Sequence, residues 1–449
     1  MKHWSTLFFI CGLVLAIQAQ CPDNDIVFKT QQEIDTFLVE YPNCENFEHN
    51  ILISSTSSDP VVNLNGLSKI KAIKGNLTIL FNDSLEYLIG LENLESISGE
   101  LEIGQNPNFK SLEHLNSLIK LGSLNLSFDM VKNFKGLENI DSLENLKLFN
   151  NNLESRNLTG LENIKYISLV ELQGNIALDG FPSLSNINLF SIVENECLKS
   201  CKDITNHFTG SISFFWAFLM DEFSLEGVEL FDTISMISLG EIGLLELEGL
   251  SKITYQIDNL SLRECNSIET LAPISNVKIN TLSLWKLEKL NAFGPLSYCK
   301  RFFMKNLPMV TTLSDLQNLE NLEEIGLEAN LNLNLCNIQP VCDIIINDPT
   351  NAFIQGNSNM CNSVDEVGAQ CLSSSNDNNI EYKVYPNPSS QFIHFSGLKN
   401  KISVDIFSLN GIFIKSLEVY NDRKLDIGFL PPDIYIIKHI DSYWRLVKI

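Results

Sequence analysis

The residues able to do chemistry are scattered. Past the first nineteen positions the histidines are His49, His114, His207, His394 and His439, each in a different stretch of the chain. An acid–base pair or a metal centre needs its groups within hydrogen-bond or coordination reach. Compact signatures that would guarantee this, such as H-E-x-x-H, G-x-S-x-G or a phosphate-binding glycine loop, do not occur. Asp and Glu number 55 against 31 Lys and Arg, a formal charge of −24. Abundant carboxylates usually form solvated faces, and a glycosidase would need two of them brought together by the fold. Asp23-Asn24-Asp25 lacks the further oxygen ligands of a calcium loop and reads as a turn. No catalytic residue, metal or cofactor is expected. The acidic balance argues against nucleic acid, which needs Lys and Arg to neutralise phosphate, and disfavours docking on anionic lipid.

Cysteine is the other reactive group. Of 11, Cys11 lies in an N-terminal apolar run, which leaves ten, an even number that in an exported chain suggests disulfides. Spacing favours local pairs: Cys21 with Cys44, Cys197 with Cys201, Cys336 with Cys342 and Cys361 with Cys371, leaving Cys265 and Cys299. Other pairings among the last four stay open, Cys342 with Cys361 for example. Zinc is disfavoured because no histidine lies close in sequence to two cysteines.

The elements that must position these groups repeat. Signals of the form L-x-L recur at Leu77-Thr78-Ile79, Leu101-Glu102-Ile103, Leu124-Asn125-Leu126, Leu146-Lys147-Leu148, Val170-Glu171-Leu172 and Phe190-Ser191-Ile192. They resume at Ile237-Ser238-Leu239, Leu260-Ser261-Leu262, Leu282-Ser283-Leu284, Phe302-Phe303-Met304 and Ile325-Gly326-Leu327. Gly66-Leu67, Gly90-Leu91, Gly136-Leu137 and Gly160-Leu161 precede strands in constant phase, often followed by Glu-Asn. One strand and one return segment per coil, each too small to bury its own apolar side chains, define a solenoid stabilised by its neighbours. The expected fold is a mainly β repeat solenoid, a parallel sheet with short helical or irregular return segments, plus a small C-terminal antiparallel β-sandwich.

Its parts are expected at 1–19 (signal peptide), 20–50 (N-terminal cap), 51–192 (first repeat block), 193–235 (cap or junction), 236–335 (second repeat block), 336–371 (cysteine-rich cap), 372–380 (linker) and 381–449 (C-terminal domain). The signal rests on Met1-Lys2-His3, the apolar run Leu7 to Ile17 and the small Ala19; the run is too short to span a bilayer. Gln20 before Cys21 does not suit a lipoprotein signal. No other run reaches membrane-helix length, and the aromatic cluster from Phe214 to Met220 is expected in the core.

With these motifs in view, residues 21–371 resemble bacterial leucine-rich repeat proteins of the receptor L-domain-like kind. The resemblance is carried by CPDNDIVFKTQQEIDTFLVEYPNC, by the Gly-Leu-x-x-Leu/Ile repeats and by NLNLCNIQPVCDIII with GNSNMCNSVDEVGAQC. It implies a fold and an extracellular setting, and no single ligand. Residues 381–449 differ in texture, with nine Lys and Arg against seven Asp and Glu and with short alternating strands. They resemble the C-terminal sorting domain of type IX secretion cargo, through Tyr385-Pro386-Asn387-Pro388, the Leu409-Asn410-Gly411 turn, and Tyr435 in a strand ahead of a closing strand with Lys448. Asp433 stands where the family usually has Gly. The resemblance implies passage across the outer membrane with the type IX machinery as partner.

The residue between the two apolar positions of each strand should face outward. In the first block these positions and their neighbours are small or charged: Asn76, Thr78, Glu100, Glu102, Ser123, Asn125, Lys147 and Glu171. In the second they include Arg263, Trp285, Arg301, Phe303 and Lys305. Exposed aromatics beside arginine suit an interface, so these five are the candidate ligand-binding residues, unless a one-residue slip turns them inward. The functional expectation is a non-catalytic exported or cell-surface protein that recognises an extracellular protein or polysaccharide. A structural surface or biofilm component, and an accessory of an extracellular enzyme complex, are the alternatives.

Overall fold

A computed structural model describes residues 20–55, 58–127, 131–150, 157–174, 176–374, 383–396, 401–420, 424–439 and 442–449. The signal at 1–19 and most of the expected linker, 375–380, lie outside the described residues. The chain divides into two compact units, the boundary falling between residues 198 and 211.

The first unit is a parallel β solenoid. Its main ladder runs through Ile26–Phe28, Ile51–Ile53, Leu77–Leu80, Ser96–Gly104, Lys120–Ser127, Ser142–Asn150, Tyr166–Gly174 and Asn186–Val193. Register stacks like on like. Ile51, Leu77, Leu101, Leu124, Leu146, Val170 and Phe190 form one buried row. Two residues on, Ile53, Ile79, Ile103, Leu126, Leu148, Leu172 and Ile192 form another. Alternation along each strand sends every second side chain inward, so the apolar repeat becomes a continuous core shared between coils. The helix Gln31–Glu40 covers the open end. It begins at a capping box, Thr30 with Glu33, and buries Ile34 and Phe37.

The Gly-Leu-Glu-Asn signature links coils. Gly90, Gly136 and Gly160 take φ of 110°, 104° and 109°, a left-handed turn open to glycine at little cost. Each glycine N–H donates to the Glu two residues on, at 2.9, 2.8 and 2.8 Å for Glu92, Glu138 and Glu162. The next residue, Asn93, Asn139 or Asn163, donates from its amide to a backbone carbonyl of the preceding coil, at 3.0, 2.7 and 2.9 Å. A second link follows the strands. Buried Asn82 and Asn106 form a ladder: the Asn82 amide donates to the carbonyls of Ile53 and Leu80, and Asn106 Oδ1 accepts from the Asn82 N–H. Unpaired backbone groups inside a coil are costly, and one asparagine satisfies several.

The second unit continues the pattern with Ser211–Phe218, Ile234–Gly240, Ile257–Arg263, Ile279–Trp285, Cys299–Lys305, Glu324–Glu328 and Ala352–Gln355, all parallel. Phe215, Ile237, Leu260, Leu282, Phe302, Ile325 and Ala352 make its buried row. Asn330 and Asn357 rebuild the ladder here, while Cys265 holds the corresponding place three strands earlier, its thiol donating to the Arg263 carbonyl at 3.3 Å. The stretch 193–235, expected as cap or junction, thus contains a full strand. The helices Gln339–Asn347 and Val364–Ser374 close this unit, and the second runs two residues past Leu372, where the linker was expected to begin.

Cysteine pairing follows space rather than sequence. Cys21–Cys44 forms as expected. The other bonds are Cys336–Cys361 and Cys342–Cys371, not the nearest-neighbour pairs; Cys342 and Cys371 sit on the two closing helices and staple them together. Cys197, Cys201, Cys265 and Cys299 are free thiols, which corrects the expected Cys197–Cys201 bond. Cys201 is fully buried at the start of the helix Cys201–Thr205, whereas Cys197 is part-exposed in the preceding turn, so the two serve different environments. Burial pushes the Cys265 thiol up to about 11 and the Cys299 thiol up to about 12, so both stay protonated and inert.

The C-terminal part of the chain folds into two antiparallel sheets. Lys383–Tyr385, Phe392–Ser396 and Leu425–Asp426 form one; Phe413–Val419, Ile402–Ser408, Asp433–His439 and Ser442–Lys448 form the other. Between them lies a core of Ile393, Phe395, Val404, Ile406, Val419, Ile427, Leu430, Tyr435, Ile437, Trp444 and Leu446.

Candidate functional site

The second solenoid sheet presents its outward residues in three parallel rows. The middle row reads Trp216, Ser238, Ser261, Ser283, Phe303, Gly326, Phe353. Beside it runs Phe218, Gly240, Arg263, Trp285, Lys305, Glu328, Gln355. On the other side lie Phe214, Met236, Asn259, Thr281, Arg301 and Glu324. The alternation L-x-L decides this, because a one-residue slip would bury the serines and expose the leucines.

Arg263, Trp285, Arg301, Phe303 and Lys305 therefore share one face. Trp285 is 36 % exposed. The Arg263 guanidinium packs on its ring, 4.3 Å from the centroid, a cation–π contact that holds the indole upright. On the far side of Trp285 lies a hollow of about 260 Å³, lined by Ser261, Ser283, Trp285, Phe303, Lys305 and Phe353 among others. Lys305 pairs with Glu328 at 2.9 Å, and Arg263 with Glu264 at 3.2 Å. Arg301 donates from Nε to Thr281 Oγ1 at 3.0 Å, so it lies flat along the sheet beside the hollow.

Glycine makes room for the rings. A Cβ on Gly326 would stand 2.6 Å from Phe303 Cδ1, and one on Gly240 would stand 2.3 Å from the Phe218 ring. Each phenyl ring thus lies down over the neighbouring strand rather than standing away from it. Trp216, 40 % exposed, sits between Phe214 and Phe218 with ring centroids 6.2 and 5.2 Å apart.

Two groups on this face escaped the sequence reading. Phe214, Trp216 and Phe218 alternate outward, while Phe215, Ala217 and Met220 fill the core, so the cluster is not wholly internal as expected. The signal was available: Phe215-Trp216-Ala217 stands in L-x-L phase, 22 residues ahead of Ile237. Phe353, 54 % exposed, comes from the short strand inside the disulfide-bonded cap.

At Asp23-Asn24-Asp25 the chain bends, and Asp25 Oδ1 accepts from the Asn50 N–H and amide at 2.9 and 3.0 Å, which keeps its carboxyl below the ordinary value. Among the described residues no three or more His, Cys, Asp or Glu are grouped to hold a metal ion, and no helix is long and apolar enough to cross a membrane.

The sorting-type motif at the other end has a mechanical role. Asn387 Oδ1 accepts from the Val447 N–H at 2.8 Å, and its amide donates to the Arg445 carbonyl. Ser389 donates its N–H to Val447 and accepts from that of Ile449. The segment Tyr385-Pro386-Asn387-Pro388 thereby clamps the edge of the closing strand, where Lys448 is largely buried. The Tyr385 ring stacks on His394 at 5.5 Å. Leu409-Asn410-Gly411 makes the turn into Phe413–Val419, with Gly411 at φ 74°. Tyr435 is buried, its hydroxyl donating to the Pro431 carbonyl at 2.9 Å.

Residues 383–446 match the family described as a secretion system C-terminal sorting domain. This domain is a type IX sorting domain. The sorting domain makes the chain an exported one, delivered to the cell surface or released, and implies contact with the secretion machinery. It covers the C-terminal sandwich and not the solenoid. No curated protein and no solved structure matches the chain.

Proposed function

We propose that the exported solenoid is a leucine-rich repeat recognition module without catalytic activity, which holds an extracellular polysaccharide or protein on the outer face of its second sheet. The leucine-rich repeat reading is supported by the spacing L-x-L-x-x-N/C, met at Leu77 to Asn82, Leu101 to Asn106, Leu260 to Cys265 and Ile325 to Asn330. The absence of a catalytic role is supported by the scatter of its histidines. The single observation behind the binding role is Trp285: an exposed indole braced by Arg263 beside an open hollow with two further aromatic rings. Aromatic and arginine side chains concentrate binding energy, and monomeric surfaces rarely group them without use.

The test is a panel of immobilised glycans and extracellular proteins, probed with the full chain and with a Trp285→Ala/Phe303→Ala chain. Loss of a signal in the variant, with an unchanged thermal melt, is expected. Identical profiles for the two chains would overturn the reading and favour a structural surface component. Cell fractionation of the full chain against one ending at residue 380 separately tests delivery; the shorter chain is expected to stay inside the outer membrane.

A further inference from the structure

The outer face of the second sheet has a layout with a direction. Along the middle row an aromatic end, Trp216, is followed by three serines, Ser238, Ser261 and Ser283, and then by a second aromatic end, Phe303 with Phe353 two strands on. Trp285 stands beside Ser283 in the neighbouring row, and Phe218 beside Trp216. Three inter-strand steps separate Trp216 from Trp285, about 14 Å, and four separate Trp216 from Phe303, about 19 Å. The trough between carries hydroxyl and amide groups, Ser238, Ser261, Ser283 and Asn259, with no large side chain in the serine row and Met236 at its edge.

Charge on this face is largely cancelled. Lys305 is paired with Glu328 at 2.9 Å, and Arg263 and Lys286 both reach Glu264, at 3.2 and 3.5 Å. Arg301 lies in register with Glu324. A polyanion would have to displace these carboxylates, and a polycation would meet the lysines and arginines. A neutral polyhydroxylated chain meets neither obstacle. Its hydroxyls can donate to the paired carboxylates and accept from the paired cations, as well as exchanging hydrogen bonds with the serines. The C–H faces of its sugar rings fit the negative π-faces of Trp and Phe.

We propose that the second sheet binds a linear neutral polysaccharide running across the strands, along the solenoid axis, with one end on Trp216 and Phe218 and the other on Trp285 and Phe303. The inference rests on the recognition reading above and adds to it the class of ligand, its direction and a second platform. Gly240 and Gly326 belong to the design, since they let Phe218 and Phe303 lie flat at the two ends of the trough.

Calorimetric titration of the full chain tests it, with neutral oligosaccharide series cut from cellulose, xylan and mannan, with alginate as a polyanion and with gelatin as a protein. At least one neutral series is expected to bind, tightening with length until the chain spans both platforms and then levelling off. Salt should change that affinity little, because no net charge is exchanged. Trp216→Ala and Trp285→Ala should each weaken it about tenfold or more, and Trp285→Phe, which keeps a platform, should recover most of the loss. Binding that ignores Trp216→Ala overturns the two-platform arrangement. Failure of every neutral series overturns the inference outright, whatever alginate or gelatin does. If gelatin or alginate binds and loses affinity in Trp285→Ala, the recognition reading survives that failure; if nothing distinguishes Trp285→Ala from the parent chain, both fall. Near-ultraviolet circular dichroism of each variant shows that the part-exposed tryptophans were removed from a folded sheet.

Discussion

The two solenoid units have interiors of the same kind and exteriors of different kinds. Their buried rows are lists of Leu, Ile, Val and Phe, with Ala352 at the end of the second. Outside, the middle row of the first unit shows Thr78, Glu102, Asn125, Lys147 and Glu171 in register, a part-exposed and mixed-charge strip. The second shows tryptophan and phenylalanine at both ends of a serine trough. Because alternation separates the two faces, the outward positions are free to change without disturbing the coil. The difference teaches that the repeat supplies shape, and that function has to be sought where outward residues depart from what water alone would favour.

Core links should matter far more than either exterior, and they set the largest expected effect. Asn106→Ala strips donors from the carbonyls of Ile79 and Gly104 and an acceptor from the Asn82 N–H, all inside the coil. With about 1–3 kcal/mol for each buried group left unpaired, a loss of roughly 3–5 kcal/mol is expected. Cys265→Ala, at the equivalent place in the second unit, removes only weak thiol contacts and should cost about 1–2 kcal/mol. Urea unfolding of the two variants measures both. Equal losses would mean that the ladder is not what distinguishes these positions.

A matched glycine pair probes the exteriors directly. Gly104 and Gly240 occupy the same place after their strands' apolar pair. A Cβ at Gly240 runs into the Phe218 ring, whereas at Gly104 the nearest atom is Ser127 Oγ, which can rotate away. Gly240→Ala should therefore cost about 1–2 kcal/mol through overpacking. Gly104→Ala should be near neutral, the relief of unfolded-chain entropy offsetting the contact. Thermal melts decide it. A neutral Gly240→Ala would show that Phe218 does not lie on the neighbouring strand.

Much of this was legible in the residues themselves. The L-x-L period placed Arg263, Trp285, Arg301, Phe303 and Lys305 on one face because alternation is local and admits one register. Trp216 was hidden by chemistry rather than position: Phe215-Trp216-Ala217 keeps the phase but not the leucines that announce it. Phe353 was hidden because its strand lies inside a cap, where the spacing drifts. The roles of Gly240 and Gly326 depend on a side chain from the adjacent coil, and the Cys342–Cys371 bond on two helices meeting in space. Neither relation has a trace along the chain, so neither could be read before the coils were stacked.

Backbone strain offers a smaller comparison across the same two units. Several coils of both units leave their strand through one left-handed residue: Phe81 at φ 59° and Gln105 at 57° in the first unit, Glu264 at 55° and Lys286 at 51° in the second. Glycine serves at two such places, Gly174 and Gly356. Lys286→Gly relieves the left-handed cost but loosens the unfolded chain, for a net gain of up to about 1 kcal/mol. Phe81→Gly should gain about as much if strain is a property of the fold and not of one sheet. A gain confined to one unit in parallel melts would argue that the turns differ after all.

The smallest effect concerns pH, and it is centred on one glutamate of the first unit. Glu100 and Glu102 point out on the same face of one strand; burial first, then the neighbouring Glu102 charge, raise the Glu100 carboxyl above the ordinary 4.5. Two of the matching places in the second unit, Asn259 and Thr281, carry no charge and do not titrate. With its folded value raised, Glu100 holds a proton in the folded state that the unfolded chain has already released. Its ionised form therefore costs stability above the raised value, and that cost disappears as pH falls below 4.5. Glu100→Gln should raise the melting temperature at neutral pH by a modest amount, with the gain shrinking through the carboxylate range and vanishing in acid. Asn259→Gln in the second sheet should show no such pH dependence. If Glu100→Gln behaves identically at pH 7 and in acid, the two carboxylates are fully solvated, and the first sheet is a plainer water-facing surface than its half-buried glutamate suggests.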